Sequence, residues 1–461
     1  MTTRDVDVYS DQYRRDPRAI QRTRLTQQEL DEIMALHARF LKQDRSGKRA
    51  SLKLTNLSYL DFSGRDLRGA DFTGAELKGA RMIGTNLHSA NMFAVDLRDA
   101  DLSNAILDLV DLRGSSMRCT NLAHASLIEA DLRAGRLYNR DSYGELKAVR
   151  QKPSVTDLAA AILTGSDLSH AKMGDALIIE TDLTDANMSG VNLARADMTA
   201  SILTGANMEN CDLSEANLTN VVLHGAVLTG ARMDQTNLTG ADLVCAILDG
   251  VDFSRTDISH ASFPKSLDDL EGDLPQTLKN HHLWVTSKGD IGARAVLSRY
   301  VLSEKDFTSV NLSMANLSYS NFRGCHFERA HLIMADLSYC DLRDANLSYT
   351  DLRGAGLTRA NLTGANLTGA RLGPVPMEGA IGREWTTNLQ FTRLNSARFL
   401  GADLVAANFT GADLTDASLK GSDLSRAVLT DALLDGADLR EANLAGADLR
   451  GAVGLRRGGV T

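Results

Sequence analysis

The chain has 461 residues, of which 43% are hydrophobic but only 5% aromatic, with 37 Gly against 6 Pro; its core must therefore be built from Leu, Met and Ala. The net charge of −9 is modest for this length. No run of about 18 apolar residues occurs, which excludes a membrane-spanning helix, and the charged start, MTTRDVDVYSDQYRRDP, excludes a signal peptide, so a cytoplasmic protein is expected.

Residues 1–25 are polar, with Arg14, Arg15, Arg18, Arg22 and Arg24 mixed among aspartates, and read as a flexible arm. Residues 26–50 read as a helical N-terminal cap. Thr26 and Glu29 have capping-box spacing, Leu25 and Leu30 have staple spacing, and Leu30, Ile33, Met34, His37, Phe40 and Leu41 form an apolar stripe ending near Ser46 and Gly47. An amphipathic helix before a stacked repeat is a natural lid for its first turn.

From residue 51 to 137 a large apolar residue returns at every fifth position, Leu52 to Leu137, giving eighteen units. Two residues before each lies mostly Ala, one before lies Asp or Asn, and Ser, Thr, Arg or Gly follow. In an extended segment residues two apart face the same way, so the small and the large residue point inward while Asp or Asn points out. The remaining residues turn the corner. A short strand and a bend, repeated, coil around an apolar axis.

This tandem A(D/N)LxG pattern resembles the pentapeptide-repeat family over about three quarters of the chain. The resemblance implies an all-β solenoid, a right-handed quadrilateral β-helix with four pentapeptides per coil. It also implies bacterial origin and two roles known among relatives: a protein-binding scaffold, or mimicry of duplex DNA that engages DNA gyrase or a related topoisomerase.

Residues 138–157 lose the beat and, with their charge and Pro153, read as a loop insertion rather than a degenerate coil. In relatives such loops often engage partners. The beat returns over 158–263 in the same lobe, for twenty-two units. Here some outward positions are apolar. At twenty residues per coil, Ile162, Ile202 and Val222 align on one face and Val227 and Ile247 on the next, a candidate interaction strip. Strand propensity, or the 138–157 loop folding over them, offers a simpler reason for β-branched residues there.

Residues 264–296 form a second helical cap or linker. His281, Trp284, Gly292, Arg294, Ala295 and Leu297 echo His37, Phe40, Gly47, Arg49, Ala50 and Leu52 with one residue inserted, which implies a duplicated plan: two lobes, each preceded by a short capping α-helix. Pro275 suits a first helical turn, and Leu278, His281 and Trp284 supply the buried side. The second lobe runs over 297–377, breaks at 378–387 around Trp385, and continues over 388–455 before a tail at 456–461. No helix follows the last coil. Its bare apolar end, together with Val428 and Leu433 at outward positions, suggests a homodimer through the C-terminal coil.

Nothing in the pattern assembles a catalytic or metal site, and no cofactor is expected. The histidines fall at different phases of the coil, the aspartates are fixed by the repeat, and Cys119, Cys211, Cys245, Cys325 and Cys340 contain no CxxC pair. Cys211, Cys325 and Cys340 hold the place of Ala and read as small core residues. Residues 1–50 carry 11 basic and 8 acidic groups, +3, which leaves −12 on the remainder. A duplex of the roughly 80 Å that seventeen coils would span carries about 47 negative charges. The scaffold reading, with an unidentified protein partner, is therefore preferred over mimicry, and direct nucleic-acid binding and membrane association are not expected.

Overall fold

Each pentapeptide makes one side of a four-sided coil. In a computed structural model, which describes residues 22–135, 138–140, 146–148, 154–376 and 384–454, parallel bridges join residues twenty apart, as in Asp71↔Asn91↔Asp111↔Asp131. The amide of the large residue donates to the next coil, and the amide before it donates to the previous one: Leu67 N–H to the Asn86 carbonyl at 2.7 Å, Asn86 N–H to the Arg65 carbonyl at 2.9 Å. A third bond closes the corner, as from Ala70 N–H to the Leu67 carbonyl at 3.0 Å. Backbone polar groups thus find partners between coils, which allows the interior to be apolar.

That interior holds the two inward positions. Leu67, Phe72, Leu77 and Met82 are fully buried, as are Ala70, Ala75 and Ala80 between them. Each large side chain contributes about 1.5–3 kcal/mol, mostly offset by chain entropy, so stability depends on neighbouring coils. At several places where Thr, Ser or Cys replaces the small Ala, its hydroxyl or thiol donates to the carbonyl of a large residue 23 positions earlier, as in Thr85 to Phe62, Thr120 to Leu97, Thr236 to Leu213 and Cys340 to Leu317. Ser166, Thr392 and Ser422 donate instead three positions back, to Leu163, Leu389 and Leu419, and the buried Ser115 hydroxyl has no protein partner among the described residues. At the bonded positions a polar atom is tolerated inside because the coil supplies its hydrogen bond.

The chain divides into two units. The first comprises Met1–Val222, Val227–Ala241 and Leu248–Ala261; the second comprises Leu223–Ala226, Asp242–Ile247 and Ser262–Thr461.

In the first unit, α1 spans Gln27–Leu41, starting at Thr26 with the capping box to Glu29 fully formed. It buries Leu30, Met34 and His37, with Ile33 half-buried. Phe40 departs from the expected core: it is 42% exposed, because it sits on the outer edge of the last turn and stacks on His37 at 5.9 Å instead of entering the interior. Residues 1–21 lie outside the described residues, but the end of the expected arm is docked. β1, Thr23–Arg24, pairs in parallel with β2, Thr55–Asn56, and Arg22 bonds Glu76 at 2.7 Å.

The 138–157 insertion contains an antiparallel hairpin, β3 (Tyr138–Arg140) with β4 (Leu146–Ala148). The coil ladder passes from Ser116 directly to Asp157, so Leu158 rather than Leu137 takes the next inward place. Leu137 itself lies outside the described residues.

In the second unit, α2 spans Leu274–Thr286, capped by Asp273 with Pro275 in its first turn. His281 is buried, Leu278 and Trp284 are half-buried, and Leu274 and Leu278 pack against the unit's core. Lys265 pairs with Tyr300, repeating β1 in miniature. The later break is a second antiparallel hairpin, β5 (Val375–Pro376) with β6 (Glu384–Trp385), after which Asn388 resumes the ladder from Gly356.

Candidate interaction surface

The outward Asp and Asn side chains hold the coil together. Asp101 Oδ1 accepts the Ser103 amide at 3.0 Å, and Asn121 reaches back one coil to Asp101 at 3.1 Å. Asn217 does the same to Asp197, and Asn443 to Asp423. Their abundance is therefore accounted for by backbone geometry.

Where Asp and Arg flank the large leucine, the Arg folds back onto that aspartate in a two-toothed ion pair. Arg98 meets Asp96 at 2.8 and 2.6 Å, and Arg353 meets Asp351 at 2.8 and 2.7 Å. The same geometry recurs at Asp66–Arg68, Asp111–Arg113, Asp131–Arg133, Asp341–Arg343, Asp438–Arg440 and Asp448–Arg450. Arg440 and Arg450 each hold their partner's carboxyl down to about 2. At these positions the surface presents a neutralised pair rather than a bare charge.

The apolar misfits separate into two groups. One ladder runs Asn121↔Ile162↔Asp182↔Ile202↔Val222, with Ile162 and Ile202 45% and 43% exposed and Val222 half-buried. Asp182 sits between the two isoleucines. Val227 and Ile247 correct the expectation: they are 5% and 6% exposed, covered rather than offered to solvent, and so do not extend the strip. In the second unit Val428 is half-buried, while Leu433 pairs with Val453 at 42% and 54% exposure.

A second set of side-chain contacts lies at the corners, outside the outward Asp and Asn positions. In the second unit Tyr319 stacks on Tyr339 at 4.7 Å, Arg359 lies over the Phe391 ring at 5.1 Å, and a Cβ on Gly411 would stand 2.6 Å from that ring. The legible signal is the twenty-residue spacing of positions 319, 339 and 359, continued at 391 once the second hairpin is discounted.

Among the described residues no group of three or more His, Cys, Asp or Glu is placed to hold a metal ion, and no helix is long and apolar enough to cross a membrane. Cys211, Cys325 and Cys340 are buried with their thiols bonded to Met188, Leu302 and Leu317 carbonyls. Burial pushes the Cys211 and Cys325 thiols up to about 12.

The family model for pentapeptide repeats in eight copies matches residues 50–92, 96–133, 176–214, 216–255, 231–266, 293–329, 306–343, 335–373, 387–421 and 422–453. The chain belongs to the pentapeptide-repeat family. No curated protein matches this pentapeptide-repeat chain. Among solved structures it is similar to trypsin-treated QnrB1, a plasmid-mediated fluoroquinolone resistance protein, at 19% identity over 47% of this chain and 86% of that one, with a TM-score of 0.21. It is also similar to HetL, involved in heterocyst differentiation regulation in the cyanobacterium Nostoc sp., at 23% identity over 92% and 98%, with a TM-score of 0.13. A third is Rfr23 of the cyanobacterium Cyanothece, at 28% identity over 33% and 90%, with a TM-score of 0.13.

Proposed function

We propose that this pentapeptide-repeat protein is a non-enzymatic cytoplasmic scaffold that binds a protein partner along the Ile162–Ile202–Val222 face of its first unit. The observation that carries this is the exposure of Ile162 and Ile202, 45% and 43%, on one ladder whose neighbouring positions Asn121 and Asp182 are polar. Exposed β-branched residues on a flat strand face give a partner apolar area without reorganisation. In a capture experiment from the native cell, wild type should retain a partner that Ile162→Asp/Ile202→Asp loses while keeping its fold by circular dichroism. Equal capture by both would sink the reading.

The family's other role, DNA mimicry toward a topoisomerase, is disfavoured by the two-toothed Asp–Arg pairs, which remove the charge that imitation of phosphate requires. A gyrase supercoiling assay with neither inhibition nor protection at high protein excess is the expected result.

The last coil is the candidate homodimer surface. Leu439, Leu444 and Leu449 are only partly buried, beside the exposed pair Leu433 and Val453. Light scattering at micromolar concentration should read a dimer; a monomer would exclude pairing through this end.

A further inference from the structure

The two units share a device at their helices that scaffolding does not require. In the first, the Ala50 amide donates to His37 Nδ1 at 3.1 Å; in the second, the Ala295 amide donates to His281 Nδ1 at 3.0 Å. Both imidazoles are fully buried, and each is stacked by the aromatic three residues on, Phe40 at 5.9 Å and 19°, Trp284 at 5.7 Å and 18°. Both alanines stand two residues before the first large residue of their coil stack, Leu52 and Leu297. The glycine turn that returns each chain from the helix is held in the same way, Lys48 N–H to the Leu36 carbonyl and Ala293 N–H to the Asn280 carbonyl. A Cβ on Gly47 or Gly292 would stand 2.1 or 2.2 Å from that helix backbone, so the turn is pressed against it.

An imidazole that accepts at Nδ1 is neutral and carries its proton on Nε2. Protonating Nδ1 removes the acceptor, leaves the alanine amide unpaired, and places a charge inside an apolar stack. We propose that α1 and α2 are acid-released lids, each held closed by one neutral histidine and opened when that histidine gains a second proton.

The surroundings favour this sign. Around His37, burial acts against the charged form and Arg49 adds to it, while Asp66 and the Arg68 carbonyl oppose; the net is a lowered pKa. Around His281, burial again dominates, the Ser313 carbonyl opposes it, and Arg294 and His282 add to it, with the same net direction. Both Nε2 atoms are buried without a hydrogen bond of good geometry, so the facing carbonyls compensate only in part. A histidine lowered in the folded state contributes stability that is complete above its unfolded value of about 6.5 and is lost as pH falls from there toward the folded value. Opening should rise up to about tenfold per pH unit within that window and then level off.

The test is amide hydrogen exchange of the full chain at about pH 7.5 and about pH 5.5, corrected for intrinsic rates, with histidine C2-proton titration alongside. Amides of α1 and α2 should lose protection at the lower pH while the coil amides around Leu102 keep theirs. His37→Asn retains a short acceptor for the Ala50 amide without titrating, so it should abolish the loss in α1 and leave that in α2, and His281→Asn the reverse. Unchanged protection on acidification, or loss that persists in both Asn variants, would overturn the proposal. If the variants fail to fold, wild-type titration decides: midpoints of His37 and His281 below about 6.5 support it, and midpoints at or above that value overturn it.

Discussion

Thr387 accepts the Gly354 amide on its hydroxyl at 3.0 Å and donates to the Leu352 carbonyl at 3.1 Å. Thr156 accepts the Gly114 amide at 3.1 Å in the same manner, with the Leu112 and Arg133 carbonyls at 3.3 and 3.0 Å. Each threonine is the residue with which the chain re-enters its coil after a hairpin, immediately before Asp157 or Asn388 takes its place in the ladder. The contact to Leu352 is the ordinary 23-residue hydroxyl bond lengthened by the detour. These hydroxyls therefore set the register of re-entry. Thr387→Val keeps the shape but leaves the Gly354 amide without its partner, while the Leu352 carbonyl keeps the Ala355 amide at 3.0 Å, and should cost about 1–3 kcal/mol. Thr387→Ser should cost much less. Urea denaturation of both variants checks the difference.

The hydroxyl clamp also marks how far the sequence could be read. The five-residue beat carries the coil because side-chain direction in an extended segment is local, and the capping box at Thr26 and Glu29 carries the start of α1 for the same reason. The detours are less legible. Gly135, Arg136 and Leu137 keep the beat, so nothing local reveals that Asp157 is the residue paired with Ser116. Solvent exposure is not local either: Val227 and Ile162 occupy the same kind of outward position, yet one is 5% and the other 45% exposed. The twenty-residue corner columns, such as Tyr319 and Tyr339, become visible only once the number of sides and the length of each detour are known.

The cysteines should differ sharply in reactivity. Cys119 is exposed, whereas Cys211, Cys245, Cys325 and Cys340 are buried and their thiols are raised by desolvation. Since the thiolate is the reactive species, native protein at neutral pH should titrate one thiol rapidly with a disulfide reagent and the rest only after denaturation. Cys119→Ser should abolish the fast phase. Two or more fast thiols in the native protein would contradict the burial described for the other four.

The corners carry a steric rule that two glycines separate. Gly69 has φ +66° and open space where a Cβ would stand, so Gly69→Ala meets only the backbone cost of a left-handed L-residue, about 1–2 kcal/mol. Gly190 has the same φ, but its Cβ would fall 2.5 Å from Nδ1 of His170 one coil earlier. Gly190→Ala should cost more, because the imidazole must swing away. In His170→Ala/Gly190→Ala the excess should disappear, leaving the cost seen at Gly69. A double-mutant cycle from thermal melts gives the coupling, and additive effects would show that His170 is not held over Gly190 in solution.

Acid should act on the coils in a window separate from that of the histidines. Asp71 and Asp351 are each 7% exposed. Burial raises both carboxyls, but Thr73 and Lys53 around Asp71, and Arg353 and Arg371 around Asp351, outweigh it, so both are lowered. Their unfolded value is about 3.9, so the stability they contribute is complete above that pH and is lost as pH falls through the lower folded values. Asp71→Asn abolishes the 2.9 Å pair with Lys53 and weakens the bonds from Thr73, and should cost about 1–3 kcal/mol near neutrality. It should also flatten the decline below about pH 4, because one fewer proton is taken up on unfolding. Asp351→Asn should do the same in the second unit by unpairing Arg353. Urea denaturation across a pH series reads both effects; a wild-type slope that persists in both variants would assign the acid limb to other carboxylates.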